Sequence, residues 1–580
     1  MFGTIQIRRV LHLLPISFFV FTCCLSNSED LDKYSPQKMD NVSQEEIQTP
    51  LLPAEKIKST VPKKQLIPKL KGLIFLREEK KVIPNGVAFE GIRADGYFSE
   101  SFYEDMQNYL NKPLTVSSMN EMLERVVHHF REESTPVVDV FIPEQDITLG
   151  TLQVVILEGR IGEIRVEGNK WFESERIIKE IRSKPNDVIK GDQLAEDINW
   201  LNRNPFRHID VVLARGKEKG KTDVVLRTQD RVPFRVYGGY ENTGNNLTGR
   251  NRYQFGFNWG DVLGKGHILD YQLTVSDETY RFVLPRTTAH SLRYEIPLML
   301  DHTFQIIAAG STSKPDIAPF DLESESWQLS GRYVWDLPPY DLIRHKATFG
   351  FDYKFSNSDL EFSRIPIFNK KTEVVQLMVG YSSTYPDKWG RTALSTQLFL
   401  SPGGLSKYND NEAFENYKQD TSAEYYYGKV AIDRLTKIPY KKLVLNTKLN
   451  FQLSDSRLIG SEQIGLGGKN SVRGFEEREV NGDEGFILIN ELRTRSYEVS
   501  NMLGIKASVG SVQFLGFFDY GRVSNRFEDS GQSLSSLGFG LRYQYGANLS
   551  ANLDVGKQLV GDDVDPDESS MLHFGLVLAF

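Results

Sequence analysis

From about residue 232 to residue 580 the chain alternates apolar and polar residues in short segments, with almost no helical periodicity. The clearest segment is "KLVLNTKLNFQL", in which the residues from Leu443 to Leu453 place five apolar side chains and Thr447 on one face. Segments of about ten residues with one apolar and one polar face are typical of transmembrane β-barrels. A soluble β-sandwich shows the same alternation in any single strand, so the number of strands and the last segment must separate the two.

About 16 such segments follow one another, and an even number is what a closed barrel of this kind requires. They begin near residues 235, 251, 266, 291, 303, 325, 344, 372, 391, 422, 441, 485, 511, 536, 548 and 570. We therefore predict a membrane β-barrel of about 16 antiparallel strands over residues 232–580.

The last segment, "LHFGLVLAF", is amphipathic and ends on an aromatic residue. One face carries Leu572, Phe574, Leu576, Leu578 and Phe580. Such an ending resembles the signal that bacterial barrel-assembly machinery reads, so we expect Phe574, Leu576, Leu578 and Phe580 to act as that signal. In a soluble protein the segment would be an exposed edge strand that promotes aggregation, and closure against the first strand removes this hazard.

Composition narrows the classes of partner. Lys and Arg number 69 against 77 Asp and Glu, a net charge of -8. With no basic excess to neutralise phosphates, nucleic acid is not expected as a partner. After the N-terminal segment, no run of 18 apolar residues occurs, so further membrane contact must come from strands.

The first 26 residues read as a secretory signal peptide, because Arg8 and Arg9 precede an apolar stretch that small residues follow. A membrane-anchor helix and a lipoprotein signal ending at Cys23 or Cys24 are the alternatives. Both cysteines of the chain lie in this segment. Cleavage after them would leave no thiol for a disulfide or a metal site.

Residues 27–70 are polar and contain five prolines, which indicates an extended linker with at most one short helix between Pro36 and Pro50. Residues 71–160 then follow the order strand, helix, helix, strand, strand. In the second helix, Ser118 and Glu121 have the spacing of a capping box.

The same order recurs over residues 161–231, starting with "IGEIRVEG" and closing with "HIDVVLARG" and "TDVVLRTQD". Two consecutive βααββ modules therefore lie between the linker and the strand-rich region. Two unrelated α+β domains would also satisfy the pattern. Their tandem position between a signal peptide and a barrel favours repeats.

The stretch "LGGKNSVRGFEER", residues 466–478, is rich in glycine and carries Arg473 between apolar and small residues. A phosphate-binding loop ending at Gly468 and Lys469 would need glycine at Gln463 and a hydroxyl side chain at Asn470. A dinucleotide fingerprint from Gly465 fails at Asn470 as well. Nucleotide binding is therefore not expected, and no cofactor is predicted.

The stretch belongs to the connection between the eleventh and twelfth strands, residues 455–484. "VRGF" in this loop is similar to the VRG[FY] loop motif of the two-partner secretion transporters of the haemolysin secretion/activation type, within the superfamily of outer-membrane proteins that combine POTRA domains with a barrel. "FFDYG" on the thirteenth segment matches the F-x-D-x-G motif of that family. The residues concerned are Val472, Arg473, Gly474 and Phe475 in the loop, and Phe517, Asp519 and Gly521 on the strand.

The resemblance implies that the loop folds back into the barrel lumen and that Arg473 pairs with Asp519. It extends to "IPEQDITLGTLQVVILEGRIGEIRV", which looks like a junction between two POTRA domains, and to "WLNRNP", "GYENTGNNLTGRNR" and "WGDVLGKGH". Two POTRA units favour the secretion transporters over general assembly factors, which usually carry three or more. An ordinary solvated loop arginine is the alternative for Arg473.

Glu491 and Arg493 are expected to face the lumen, with Phe486, Leu488 and Leu492 toward lipid. Generic hydration of the lumen is the alternative to a specific role for these charges. We expect no catalytic residues and no metal ligands, since neither a G-x-S-x-G nor an H-E-x-x-H motif occurs and the nine histidines are scattered. His573 is expected to face the lumen.

The implied function is export across the outer membrane of a Gram-negative-type bacterium, with the POTRA domains in the periplasm. The expected partners are a secreted exoprotein in extended form, the barrel-assembly machinery during biogenesis, and outer-membrane lipids. An assembly factor or insertase of the same superfamily is the first alternative. A barrel-embedded hydrolase is the second.

Overall fold

The computed structural model describes residues 65–580 except 97, 219, 277–284, 363–364, 440–441, 505–508, 529 and 562–568. The predicted signal peptide and residues 27–64 of the predicted linker lie outside the described residues. The described residues fall into two compact units that divide between Val232 and Pro233.

The first unit contains two small α+β modules. Its strands are β1 (Gln65–Ile67), β2 (Gly72–Leu76), β3 (Gly91–Ala94), β4 (Leu114–Thr115), β5 (Val138–Phe141), β6 (Thr151–Glu158), β7 (Arg160–Glu167), β8 (Arg207–Arg215) and β9 (Lys221–Asp230). Its helices are α1 (Glu100–Gln107), α2 (Val116–Glu132), α3 (Ser174–Lys179) and α4 (Gly191–Leu201), with a 3-10 turn at Glu79–Lys81.

In the first module the strand order is β3-β2-β6-β5, with β2 parallel to β3 and β6. The inner faces of α1 and α2 bury Phe102, Met106, Met122 and Val126 against β2 and β6. Burying these side chains is the main favourable contribution to folding of the module.

Three local features of this module differ from the sequence expectation. Gln65–Ile67, placed in the linker, pair with β4. The strand β3 was not predicted, because four residues without alternation carry no periodic signal. The capping box of α2 is formed by Thr115 and Ser118 rather than by Ser118 and Glu121: Ser118 N donates to Thr115 Oγ1 at 3.1 Å and Thr115 N donates to Ser118 Oγ at 2.9 Å. A threonine side chain at the first cap position outcompetes a pair lying inside the helix.

In the second module β9 lies between β7 and β8, parallel to the former and antiparallel to the latter. Residue Gly159 alone separates β6 from β7, so the modules follow one another directly. Each sheet has two edge strands, β3 and β5 in the first module and β7 and β8 in the second.

The second unit is a closed antiparallel barrel. Its strands are β10 (Phe234–Glu241), β11 (Arg252–Val262), β12 (His267–Ser276), β13 (Thr287–Met299), β14 (His302–Ser313), β15 (Asp316–Ile317), β16 (Phe320–Tyr340), β17 (Ile343–Phe362), β18 (Ile365–Asp387), β19 (Gly390–Pro402), β20 (Glu424–Ile438), β21 (Leu443–Ser454), β22 (Ile464–Leu466), β23 (Val480–Gly482), β24 (Glu484–Arg493), β25 (Tyr497–Glu498), β26 (Ser511–Ser524), β27 (Gly531–Tyr545), β28 (Leu549–Val560) and β29 (Ser570–Ala579). Two helices lie in its connections, α5 (Asn411–Tyr417) and α6 (Val499–Leu503).

Closure is complete around the ring. β22 and β23 form a separate two-stranded sheet. Of the 18 strands in the ring, β15 and β25 have two residues each, and the other 16 form the wall. β10 pairs with β29, and Val236 and Phe580 exchange both backbone hydrogen bonds at 2.9 and 3.0 Å. The predicted barrel of about 16 antiparallel strands is confirmed.

The barrel wall has an apolar outer face and a polar inner face. On β21, Phe451 and Leu453 are exposed on the outside, whereas Asn446 and Gln452 are buried inside. On β29, Leu572, Leu578 and the adjoining Phe580 lie on the outer face and His573 is buried on the inner face. The pattern is the one that a lipid exterior and a polar lumen select.

We number the 16 wall strands in order from β10. Connections after even-numbered wall strands are mostly short: two residues join the fourth and fifth, β13 and β14, and two join the sixth and seventh, β16 and β17. Strands β16, β17 and β18 have 21, 20 and 23 residues, although about 9 to 11 residues suffice to cross a bilayer. These three strands therefore extend beyond the membrane. No helix in the described part of the chain is long and apolar enough to span a membrane.

Candidate functional site

The connection between β21 and β24, residues 455–483, folds into the barrel. We call it the lumen loop. Its two arms form a ladder of their own, in which β22 pairs antiparallel with β23. Gly467 and Gly468 adopt φ of +98° and +99°, a region that favours glycine, and they turn the chain away from β22. The segment from Lys469 to Arg478 is thereby carried against the inner wall.

Arg473 lies at the centre of a buried ionic cluster. Its side chain is 2% exposed. Nε donates to Asp519 Oδ2 at 2.7 Å, Nη2 donates to Asp519 Oδ1 at 2.8 Å, and the backbone N donates to Oδ2 at 3.2 Å. This two-point contact uses the planar fork of the guanidinium, which fixes orientation as well as charge.

Glu491 binds another edge of the same guanidinium, since Nη1 donates to Glu491 Oε1 at 2.7 Å. Glu491 also accepts from Arg493 Nε at 2.8 Å. Asp554 lies 3.6 Å from Arg473 and accepts from Arg542 at 2.9 Å. Three arginines thus face three carboxylates, and the cluster is balanced in formal charge.

Phe517 supports the guanidinium from one side, with Arg473 Cζ 3.6 Å from the ring centroid. A cation over an aromatic face is attracted by the ring quadrupole. Phe517, Asp519 and Gly521 point inward together because alternate residues of β26 share a face. The arginine is therefore held by a carboxylate and a ring that lie two residues apart on one strand.

Gly521 makes room for the loop. A Cβ at this position would lie 2.6 Å from Leu466 Cδ2 and 3.2 Å from Val472 Cγ2. Val472 and Phe475 belong to a buried apolar cluster that joins the loop to the wall; its members are Leu466, Val472, Phe475, Ile487, Ile489, Val523 and Leu534. The loop therefore packs against the wall through an apolar cluster that lies next to its ionic cluster.

Gly474 approaches the backbone of β28. It has φ of +93°, and a Cβ there would lie 3.1 Å from Gly556 O. Gly474 N donates to His573 Nε2 at 2.9 Å, and Gln558 Nε2 donates to Gly474 O at 2.6 Å. Because His573 accepts at Nε2, its proton resides on Nδ1 in this arrangement.

The loop and wall residues singled out in the sequence all lie in or against the cluster around Arg473. They are Val472 to Phe475, Phe517, Asp519, Gly521, Glu491 and Arg493. Residues that no motif indicated also contribute. Lys469 Nζ donates to Glu241 Oε1 on β10 at 2.6 Å. Glu462 contacts other wall strands from the opposite arm of the loop. Such pairs join distant positions of the chain, so no local spacing signals them.

The residues of β29 predicted to act as the assembly signal lie elsewhere. Phe574 and Leu576 are half-buried and Phe580 is exposed, and the Phe574 ring packs 5.9 Å from Tyr240 on β10. Over the described residues, no group of three or more His, Cys, Asp or Glu side chains is suited to hold a metal ion.

Comparison with known families gives three matches along the chain. The model of the haemolysin secretion/activation proteins ShlB/FhaC/HecB matches residues 220–543, more than half of the chain. The ShlB-type POTRA domain matches residues 84–159. A second POTRA model, described as a surface antigen variable number repeat, matches residues 159–229.

Named relatives share similarity over most of their length. The heme/hemopexin transporter protein HuxB of Haemophilus influenzae strain 86-028NP is 23% identical over 82% of this chain and 83% of its own. The outer membrane transporter CdiB of Dickeya dadantii is 22% identical over 74% of each chain.

The solved structure of CdiB from Escherichia coli superposes with a TM-score of 0.73 at 17% identity, covering 91% of this chain and 93% of the other. CdiB from Acinetobacter baumannii gives 0.61 at 15% identity over the full length of both chains. These structures share the fold of two POTRA-type modules and a barrel.

Proposed function

The chain belongs to the ShlB/FhaC/HecB family of haemolysin secretion/activation proteins, and from this premise we propose that it exports a secreted partner protein through its own barrel. It is an outer-membrane transporter with its POTRA domains in the periplasm. The partner is a separate polypeptide that reaches the barrel unfolded, as in two-partner, type V secretion.

The lumen loop carries the proposal. Barrels of about 16 strands enclose an aqueous channel. Here the loop occupies that channel and is fixed to the wall by Arg473 and its partners. A pore filled by a segment that has discrete attachment points suits a protein that opens for one kind of cargo and otherwise stays closed.

The POTRA domains supply the capture step. Extended chains bind to exposed sheet edges by adding a strand, a mode that reads backbone rather than a particular sequence. β8, with nine residues, is the longest of the four edge strands of the two sheets, and Leu213 is partly exposed on it. We place the first contact with the exported chain on β8.

The proposal assigns a role to each predicted segment. Residues 1–26 direct the chain to the periplasm, 27–70 link it to the first POTRA domain (71–160), 161–231 form the second, and 232–580 form the pore. Barrel-assembly machinery and outer-membrane lipids are its partners during biogenesis. The protein acts as a transporter without a catalytic step, and it needs no bound cofactor.

Deletion of the gene tests this function. We expect the partner, sought first in the neighbouring open reading frame, to disappear from the medium, while other outer-membrane barrels keep their abundance. Re-expression of the wild-type chain restores export. If deletion depletes other barrels and leaves export intact, the chain is an assembly factor and the proposal is wrong.

A further inference from the structure

A second buried carboxylate anchors the lumen loop. Glu462 is 1% exposed. Its Oε1 accepts from Lys354 Nζ at 2.7 Å and from Ser461 Oγ at 2.9 Å, and its Oε2 accepts from Tyr427 OH at 2.7 Å and from Gln376 Nε2 at 3.1 Å. Three of these four donors belong to the barrel wall.

The three wall donors together form a binding site for the carboxylate of Glu462, which we call the Glu462 seat. The Gln376 amide donates to Glu462 and also to Asp352 Oδ2 at 3.1 Å, and its oxygen accepts from Tyr425 OH at 3.0 Å. Asp352 in turn pairs with Arg332. Two cations and two anions balance within the network, so the buried charge of Glu462 is compensated.

The Glu462 seat lies on wall strands other than those that hold Arg473, since Glu491 and Asp519 belong to the twelfth and thirteenth, β24 and β26. Lys354, Gln376 and Tyr427 belong to the seventh, eighth and tenth wall strands, β17, β18 and β20. On the far side of the ring, Gly474 bonds to Gln558 and His573, which belong to the fifteenth and sixteenth strands, β28 and β29. In a closed ring of 16 strands the seventh and the fifteenth are diametrically opposed. The loop is therefore attached to both sides of the lumen.

We infer that Glu462 is a positioning residue that fastens the lumen loop to the wall of β17, β18 and β20 and thereby keeps the pore closed at rest. The inference rests on the proposed function, because it assigns the resting state of the same pore. On this inference, a loop tied to both walls blocks the path of an extended chain. Export therefore requires that one of the two attachments opens.

Ion conductance of the purified full-length protein in planar bilayers, with no partner protein present, tests this role. Glu462→Gln keeps the volume and removes the charge, and Lys354→Met removes the opposing cation. We expect each to raise the open fraction at rest about tenfold, which corresponds to about 1.4 kcal/mol. Tyr427→Phe, which removes one hydrogen bond at nearly constant volume, is expected to give a smaller rise.

The matched control is Glu479→Gln, an exposed carboxylate of the same loop that accepts from Glu476 N within the loop. Its open fraction should stay at the wild-type level. Heat-modifiable mobility in gels shows whether each variant has a folded barrel, and Tyr427→Phe serves as the informative variant if the charge variants do not insert.

Wild-type conductance in inserted Glu462→Gln or Tyr427→Phe overturns the inference, as does an equal rise in Glu479→Gln. The result is independent of export, which is measured separately as partner in the medium. If the protein exports no partner but the variants show the expected conductance pattern, the role of Glu462 stands and only the proposed export function is wrong.

Discussion

Arg473 is surrounded by groups that need its shape as well as its charge. Its fork meets Asp519 at two points while the third nitrogen reaches Glu491, and Phe517 lies against its face. A lysine ammonium is a compact charge that cannot make these contacts together. The position therefore requires arginine.

We expect Arg473→Lys and Arg473→Ala both to impair export of the partner while leaving barrel insertion largely intact. Arg473→Ala breaks a buried ion pair, which costs about 3 to 5 kcal/mol because the remaining carboxylates stay buried without compensation. Arg473→Lys keeps the charge but loses the two-point contact. Secreted partner in the medium is measured against the amount of heat-modifiable barrel in the membrane.

Arg250→Ala is the control for Arg473. Arg250 also reaches the lumen loop, at Glu476, but its side chain is 58% exposed. Exposed pairs contribute about 0 to 1 kcal/mol. Export should therefore remain near wild type in this variant. Wild-type export in Arg473→Ala would contradict the role of the cluster.

Gly474 tests the close approach of the loop to the wall. Gly474→Ala places a Cβ at φ of +93° and 3.1 Å from Gly556 O. The left-handed conformation alone costs about 1 to 2 kcal/mol for a non-glycine residue, and the contact adds to it. We expect the lumen loop to detach from the barrel wall more often, so that Lys469 becomes accessible to added trypsin.

Gly404→Ala controls for backbone strain. Gly404 has φ of +66° in another connection of the barrel, and a Cβ there meets no atom within 4 Å. Cleavage of the lumen loop should stay at the wild-type rate in this variant. Equal protection of the loop in Gly474→Ala and the wild type would count against the close approach.

At the scale of elements, the seam between β10 and β29 combines closure with the expected assembly signal. Phe580 pairs through its backbone with Val236, while its side chain is 76% exposed on the outer face. Phe580→Ala leaves the backbone bonds and removes the ring. We expect less barrel in the outer membrane, with normal heat-modifiability in the molecules that do insert.

Phe539→Ala is the matched variant for this experiment, because Phe539 is an exposed aromatic residue on the outer face of β27. It removes the same lipid-facing area away from the seam. Equal losses in the two variants would show that Phe580 acts through lipid contact alone and has no role as a signal.

The edge strand β8 carries the proposed capture of the exported chain. Val211 and Leu213 lie on it, partly buried and partly exposed. Charged side chains on an edge disfavour the addition of another strand. We expect Val211→Lys with Leu213→Lys to weaken binding of the unfolded partner to the detergent-solubilised protein by about tenfold, or about 1.4 kcal/mol, in fluorescence anisotropy.

The same substitutions should leave export slower but the barrel fully assembled. Leu66→Lys, at an exposed position on β1, is the control and should bind as the wild type does. Undiminished binding in the β8 variant would move the capture step to another surface.

The strands of the barrel could be predicted from the sequence because lipid and lumen impose opposite demands on neighbouring residues. About 16 alternating segments left little freedom in the strand count. The excess length of β16, β17 and β18 could not be predicted. Outside the membrane, no contact with lipid imposes an apolar face on one side of a strand, so the sequence pattern does not mark where the strand ends. β3 was missed for a related reason: its pairing with β2, not its own pattern, makes it a strand.

The candidate site divides in the same way. Arg473 and Asp519 stood out because each sits in a short motif. Glu462 lies 108 residues from Lys354 and 86 from Gln376, and Lys469 lies 228 residues from Glu241. Ion pairs between distant strands have no fixed spacing in the sequence. Their partners come together only when the barrel closes, so no local motif predicts them.

At the scale of the whole molecule, we expect transport to proceed without a nucleotide. The glycine-rich stretch of the lumen loop fails the spacing of a phosphate-binding loop and instead holds Arg473 against the wall. We expect the energy for export to come from folding of the partner outside the cell, where folded chain cannot slip back.

We therefore predict that proteoliposomes containing only this protein take up an unfolded partner without ATP, and that adding ATP leaves the rate unchanged. Partner variants that fold more slowly should accumulate inside more slowly, because backward sliding competes with folding. A partner folded before mixing should be excluded, since we expect only an extended chain to pass the lumen loop. Strict dependence on ATP, or equal rates for fast- and slow-folding partners, would contradict a mechanism in which the barrel is a gated passage and the cargo supplies the work.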